Sequence, residues 1–324
     1  MFRRRRTRII LYSIAIALLI IAAILYKLAD RYLIEHVEVR VEPIRAPVET
    51  AAPAPATDTT PPADESATET PTPTVNDWYY SDANQTIQIE KVQTGSGTDT
   101  ITYFVADVIF HEKTNLLTAF AKNAFGTNII EDTSEIAANN DAIFAINGDY
   151  YGFRRDGVVI RNGRVYRDEP ARDGLALLSD GTMQAYDEET ISSADLLASG
   201  VSNTFTFGPV LVDNGEIAGD FSSVKIDKNF GNRSIQSANP RTGIGMIAPN
   251  HYLFIVVDGR SRGYSRGMTL DEFAALFREL GATVAYNLDG GGSSTMYFNG
   301  RVVNDPLGKG KERGVSDIIY IPRS

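Results

Sequence analysis

The chain has 324 residues, with 41 acidic and 31 basic side chains and a formal net charge of −10. Setting aside the five N-terminal arginines leaves 26 basic residues against 41 acidic ones, or −15, which excludes non-specific nucleic-acid binding. Cysteine is absent, so neither a disulfide framework nor thiolate chemistry is available, and the core must hold without covalent staples.

The chain opens with a basic tail at 1–8, containing Arg3, Arg4, Arg5, Arg6 and Arg8, followed by an uncharged run from Ile9 to Tyr26. About 18–20 apolar residues suffice for a bilayer-spanning helix, and no small-residue cleavage site follows. The pattern predicts a retained transmembrane anchor at 9–29 with the arginines in the cytoplasm and the rest of the chain outside, at the cell membrane. Residues 30–75 are rich in Pro, Thr, Ala and Glu and have little to bury, which predicts a disordered stalk.

Residues 76–324 are one domain's worth of chain. Strand-like runs dominate it, at Thr86–Val92, Ile101–Phe110, Leu116–Ala121, Ala142–Asn147, Gly174–Leu178, Thr182–Tyr186, Pro209–Val212, Tyr252–Val257, Thr283–Leu288 and Ile318–Ile321. Helical periodicity is clear in Leu270–Leu280, where Thr269 and Glu272 form a capping-box pattern and Gly281 supplies the stop. Shorter helices are predicted near Thr133–Asn139 and Ser193–Ala198. The fold class is α+β, a single domain with a curved mixed β-sheet and few helices.

Polar residues gather at the strand ends. Asn147-Gly148-Asp149 ends one apolar run, and Asp258-Gly259-Arg260 leaves another for a loop rich in glycine and arginine. Arg241 stands just before a strand, where its planar fork suits bidentate phosphate or carboxylate recognition. The capped helix returns the chain to Asp289. If the strands before Asp258 and Asp289 run parallel, both carboxylates share one carboxyl edge, the usual place for ligands in α/β units. Behind Asp289 stand Gly290, Gly291, Gly292, Ser293 and Ser294. Three glycines there cost backbone entropy and suit close approach by an anion to exposed amides. Lysine does not follow, so this is not a Walker loop. Glu312 and Arg313 lie on a polar loop before the last strand. The three histidines are scattered, which argues against a histidine-based zinc site, while an oxygen-ligated divalent cation on Asp149, Asp258 or Asp289 stays open.

The ordered segments Asn147-Gly148-Asp149-Tyr150, Phe207-Gly208-Pro209, Asn239-Pro240-Arg241-Thr242, Val257-Asp258-Gly259-Arg260-Ser261, Gly267-Met268-Thr269-Leu270, Asn287-Leu288-Asp289-Gly290-Gly291-Gly292-Ser293-Ser294 and Glu312-Arg313 resemble the phosphodiester glycosidase family. The resemblance implies hydrolysis of a sugar-1-phosphodiester, of the N-acetylglucosamine-1-phosphodiester type, at the anomeric carbon. The substrate would be a cell-envelope polysaccharide or teichoic-acid-like polymer. It makes Asp149, Asp289 and Glu312 the catalytic candidates. Asn147, Arg241, Asp258, Arg260, Gly290, Gly291, Gly292, Ser293, Ser294 and Arg313 become the substrate- and phosphate-binding candidates. The same residues would serve a non-catalytic module that tethers phosphodiester-linked wall polymer, or a transferase with a sugar acceptor in place of water; an envelope scaffold explains them less well.

Overall fold

The computed structural model describes residues 2–42, 73–224 and 235–323. Most of the expected stalk lies outside the described residues. The N-terminal run is helical over Phe2–Tyr32, but that helix continues through Lys27, Asp30 and Arg31 and leaves Leu18, Leu19 and Ile20 facing solvent. Among the described residues no helix is long and apolar enough to cross a membrane, so the expectation of a spanning anchor is not supported there. Instead the chain turns back at the helix foot, where the strand His36–Arg40 pairs with Ala124–Thr127.

Two large sheets carry most of the rest, beside a three-stranded sheet of Met183–Asp187, Asp173–Leu178 and Val201–Phe205 and a separate two-stranded hairpin. The larger has nine strands, running in space from Glu216–Ile217 through Val210–Asp213, Val284–Leu288, Arg241–Ala248, His251–Val257, Ile101–Phe110, Gln85–Thr94 and Tyr79–Ser81 to Thr74–Val75. The smaller has five: Arg301–Val302, Met296–Phe298, Ala142–Asn147, Asp317–Pro322 and Leu117–Phe120. The sheets face each other over a core that includes Phe104, Phe144, Phe254, Met296, Ile319 and Ile321, all almost fully buried. The capped helix, Leu270–Glu279, covers the other side of the larger sheet with Leu270, Phe273, Ala274 and Phe277. Thr269 and Glu272 close the reciprocal capping box.

One topological detail positions the site. His251–Val257 and Val284–Leu288 both pair antiparallel with Arg241–Ala248, which lies between them. They therefore run in the same direction without touching, and Asp258 and Asp289 emerge at the same sheet edge. The structure also adds strands to the sequence reading, among them Val201–Phe205 and the hairpin Gly157–Arg161 with Arg164–Glu169. That hairpin turns at Asn162 and Gly163, both at positive φ, as a two-residue Asn-Gly turn demands.

Candidate active site

Asn147 joins the two sheets at this edge. Fully buried, it donates from Nδ2 to the Asp289 carbonyl at 2.6 Å, while its Oδ1 accepts from Thr242 Oγ1 at 2.8 Å and from the Thr295 amide at 3.2 Å. The turn carrying Asp149 is thus fixed against the turn carrying Asp289.

Asp149 sits inside this junction with a side chain at 0% exposure. Its Oδ1 accepts from the Tyr150 amide at 2.7 Å and its Oδ2 from the Thr206 amide at 2.7 Å. Arg154 Nη2 lies 3.5 Å from Oδ1, and Arg161 Nη2 lies 3.8 Å from Oδ2. Arg161 also grips Asp317, with Nε and Nη2 each 2.8 Å from Oδ2, and Asp317 Oδ1 accepts from the Asp149 amide at 2.8 Å. Burial raises Asp317 to about 6 despite the Arg161 charge beside it, with Asp149 adding to the rise. Arg154 is itself buried, flanked by the faces of Tyr150 and Phe207, whose centroids lie 5.5 and 5.4 Å from the guanidinium carbon.

Asp289 is arranged differently. Its Oδ2 accepts from Ser293 Oγ at 2.6 Å and from Arg313 Nη2 at 3.3 Å, and the same Nη2 donates to Ser293 Oγ at 2.5 Å. Its Oδ1 has no hydrogen-bond partner among the described residues, and the side chain keeps 10% exposure beside a half-exposed Arg313. Burial pushes the Asp289 carboxyl above its ordinary value, while Arg313, Ser293 and Arg154 pull it back and Asp149 pushes it further.

The three glycines have a packing reason. A methyl group on Gly290 would come within 2.8 Å of the Pro240 carbonyl oxygen, and one on Gly292 within 3.1 Å of the Arg313 Cδ and Nε. The Gly291 amide already donates to Pro240 O at 3.0 Å. Arg260 lies against Gly291 and donates from Nε and Nη2 to Asn239 Oδ1, at 3.1 and 2.8 Å. The loop is therefore held between two guanidinium groups, those of Arg260 and Arg313.

Other expected residues make their hydrogen bonds within the protein. Arg241 is buried and donates from Nε to Met268 O at 2.9 Å and from Nη2 to Ser237 O at 2.9 Å and Ile235 O. Its guanidinium fastens backbone, and burial lowers its pKa to about 10, with Arg260 adding to the shift. Asp258 accepts from Asn304 Nδ2 at 2.8 Å, Tyr264 OH at 2.8 Å and the Asp305 amide at 3.0 Å, so both its oxygens are occupied. Glu312 accepts from the Ser134 amide at 3.0 Å and from Ser134 Oγ, closing the start of the short helix Thr133–Asn139. Ser294, though buried at the loop, carries a hydroxyl without a partner among the described residues. Among the described residues no group of three or more His, Cys, Asp or Glu side chains is placed to hold a metal ion.

The motif pattern of the phosphodiester glycosidases matches residues 140–322, more than half of the sequence. The chain belongs to the phosphodiester glycosidase family. The SPbeta prophage-derived uncharacterized protein YomE of Bacillus subtilis (strain 168) is 31% identical over 206 residues, a match covering 61% of this chain and 30% of that protein. The chain thus spans about a third of that relative's length. Two solved structures share the fold. One is the catalytic domain of zebrafish N-acetylglucosamine-1-phosphodiester alpha-N-acetylglucosaminidase, auto-inhibited by its pro-peptide, with TM-score 0.57, 20% identity, and 75% of this chain and 85% of that one covered. The other is a hypothetical protein from Synechocystis, with TM-score 0.54, 16% identity, and 78% and 64% covered.

Arg154, Arg161 and Asp317 are additions to the sequence reading. The signal for Arg161 was available: Asn162-Gly163 sits between two alternating runs, which marks a hairpin. No comparable signal marks Arg154. Because Arg161 and Asp317 are buried together, breaking the pair leaves a guanidinium without its closest counter-charge. Asp317→Asn is expected to cost about 3–5 kcal/mol of stability. Urea unfolding checks this, and a loss under about 1 kcal/mol would put the pair among the weak surface bridges instead.

Proposed function

We propose that the protein hydrolyses sugar-1-phosphodiesters at the anomeric carbon, with Asp289 as the carboxylate that faces that carbon. The observation that carries this is the asymmetry of Asp289: one oxygen is held by Ser293 and Arg313 and the other has no partner among the described residues. Family membership supports a glycosidase-type reaction, and the name of the zebrafish relative supplies the N-acetylglucosamine-1-phosphodiester as the substrate to try first.

The chemistry suits these residues. The leaving group is a phosphomonoester, whose second pKa of about 6 makes it far more acidic than a sugar hydroxyl. Strong general-acid assistance is then unnecessary. What such a site requires is positive charge on the departing phosphate and a carboxylate near an oxocarbenium-like carbon. Arg313 at 3.3 Å and the charge of Arg154 both act on Asp289, and Arg260 lies against the glycine loop. Asp149, which has both oxygens bonded to amides, holds Arg154 in place. Arg241, Asp258 and Glu312 shape the surrounding loops. The C1–O bond breaks with its electron pair going to the phosphate oxygen, and water supplies the new oxygen on C1. The reading sets the domain outside the cytoplasm, acting on phosphodiester-linked glycans of the cell envelope, and needs no spanning helix.

Asp289→Asn should lower kcat on an α-N-acetylglucosamine-1-phosphodiester by on the order of a hundredfold or more, with circular dichroism unchanged. Wild-type turnover by that variant would remove Asp289 from the reaction, and binding without product by the wild-type protein would favour a tethering module. The acid limb of kcat/KM should lie above the ordinary aspartate value of 3.8, because burial keeps Asp289 protonated to higher pH and the reactive carboxylate is lost as pH falls through that raised value. Arg313→Gln removes the cation that lowers it, so the limb should move to still higher pH; a limb that stays put would separate Arg313 from Asp289.

A further inference from the structure

We infer that the group across the phosphate carries an aliphatic chain, so that the substrate is a lipid-linked sugar-1-phosphate whose chain lies between the foot of the N-terminal helix and the Phe153–Asp156 loop. This rests on the sugar-1-phosphodiester reading above and names the substrate's other half.

A cavity of about 1650 Å³ opens there, with Arg154 in its lining. Small ligands occupy clefts of about 300–1000 Å³, so one sugar phosphate leaves much of it unfilled. Arg154 belongs to both places: it lines the cavity and sits 3.5 Å from Asp149. An aglycone leaving the phosphate on the Arg154 side therefore enters this space. Phe153, Phe207 and Pro209 form one apolar wall, and Ile24 and Leu28 of the N-terminal helix form the other.

Charge argues against a polyanionic occupant. The described lining residues carry five cations and five carboxylates, which leaves no excess positive charge for a second phosphate. Asp156 is paired with Arg172 at 2.8 Å and Asp30 with His36 at 3.1 Å, and Glu38, Glu169 and Asp173 are exposed. The buried cation is Arg154, which lies 3.5 Å from Asp149 and lowers the Asp289 carboxyl electrostatically. One anionic head deep in the cavity and an uncharged tail leading outward match that layering.

The tail has a surface to follow. Beyond Leu28 the N-terminal helix exposes Leu25, Ile21, Ile20 and Leu18, each at 52% or more. The helix foot is fastened to the domain, with Asn128 Nδ2 donating to Asp30 O at 3.1 Å and to Ile34 O at 2.9 Å. The apolar helix surface is thus held at the cavity mouth.

The test uses the full chain and decyl phosphate below its micelle concentration, with methyl phosphate and an uncharged decyl amphiphile as controls, read by titration calorimetry. Burying even two methylene groups gives about tenfold in affinity, so decyl phosphate should bind at least about tenfold tighter than methyl phosphate. Ile24→Asp with Leu28→Asp should erase that difference while leaving turnover of a methyl-aglycone sugar-1-phosphodiester unchanged. Equal binding of decyl and methyl phosphate would overturn the inference. So would a preference that survives both substitutions, or an uncharged decyl amphiphile binding as tightly as decyl phosphate. Turnover without any chain-length effect would sink this inference alone. Tight decyl phosphate binding with no turnover of any sugar-1-phosphodiester would sink the hydrolase reading and leave the cavity's ligand class standing.

Discussion

A single buried amide, that of Asn147, governs the geometry of the site. It ends a strand of the five-stranded sheet, yet its side chain bonds to Thr242 of the nine-stranded sheet and to the carbonyl of Asp289. A buried amide left without these partners would cost about 1–3 kcal/mol for each lost bond, so the two sheets meet in one register at this edge. Everything chemical follows from that register. Asp149 and Asp289, far apart in sequence, belong to turns that Asn147 fixes together.

Around that junction the two carboxylates have been given opposite environments. Asp149 is wrapped in amides and guanidinium groups and has no exposed side-chain surface. Asp289 has one oxygen held and one without a partner among the described residues. Pairs of titratable groups whose surroundings differ in this way tend to divide the labour of a reaction. The Arg161–Asp317 pair behind Asp149 is the cost-bearing part of the arrangement, since buried ions gain stability only when geometry and counter-charges compensate their lost hydration. Its compensation here is dense: Asp317 also receives the Asp149 amide, and Arg161 reaches the Thr204 carbonyl.

Much of the fold could be read from local patterns. The capping box at Thr269 and Glu272, the helices Thr133–Asn139 and Ser193–Ala198, and the strands Ile101–Phe110 and Ala142–Asn147 appear where periodicity put them. Val201–Phe205 was illegible because Ser202, Asn203 and Thr204 give it no apolar alternation. The shared edge of Asp258 and Asp289 was legible as a condition, and the intervening strand Arg241–Ala248 fulfils it. What a sequence could not reveal is direction. Arg241 has the composition of a phosphate clamp, but its guanidinium turns towards backbone carbonyls. Glu312 has the look of a catalytic carboxylate, but it closes a helix end. Those outcomes depend on which neighbours the tertiary fold brings within 3 Å, and no local pattern encodes them. The apolar N-terminal run is helical as expected, while among the described residues no helix is apolar enough over a sufficient length to cross a bilayer.

The central claim is that bond cleavage occurs on the sugar side of the bridging oxygen, at the carbon that Asp289 faces, rather than at phosphorus. Hydrolysis of an α-N-acetylglucosamine-1-phosphodiester in ¹⁸O-labelled water, followed by mass spectrometry of both products, reads this directly. The account predicts the label on the released sugar and none in the phosphomonoester; label in the phosphate would contradict it.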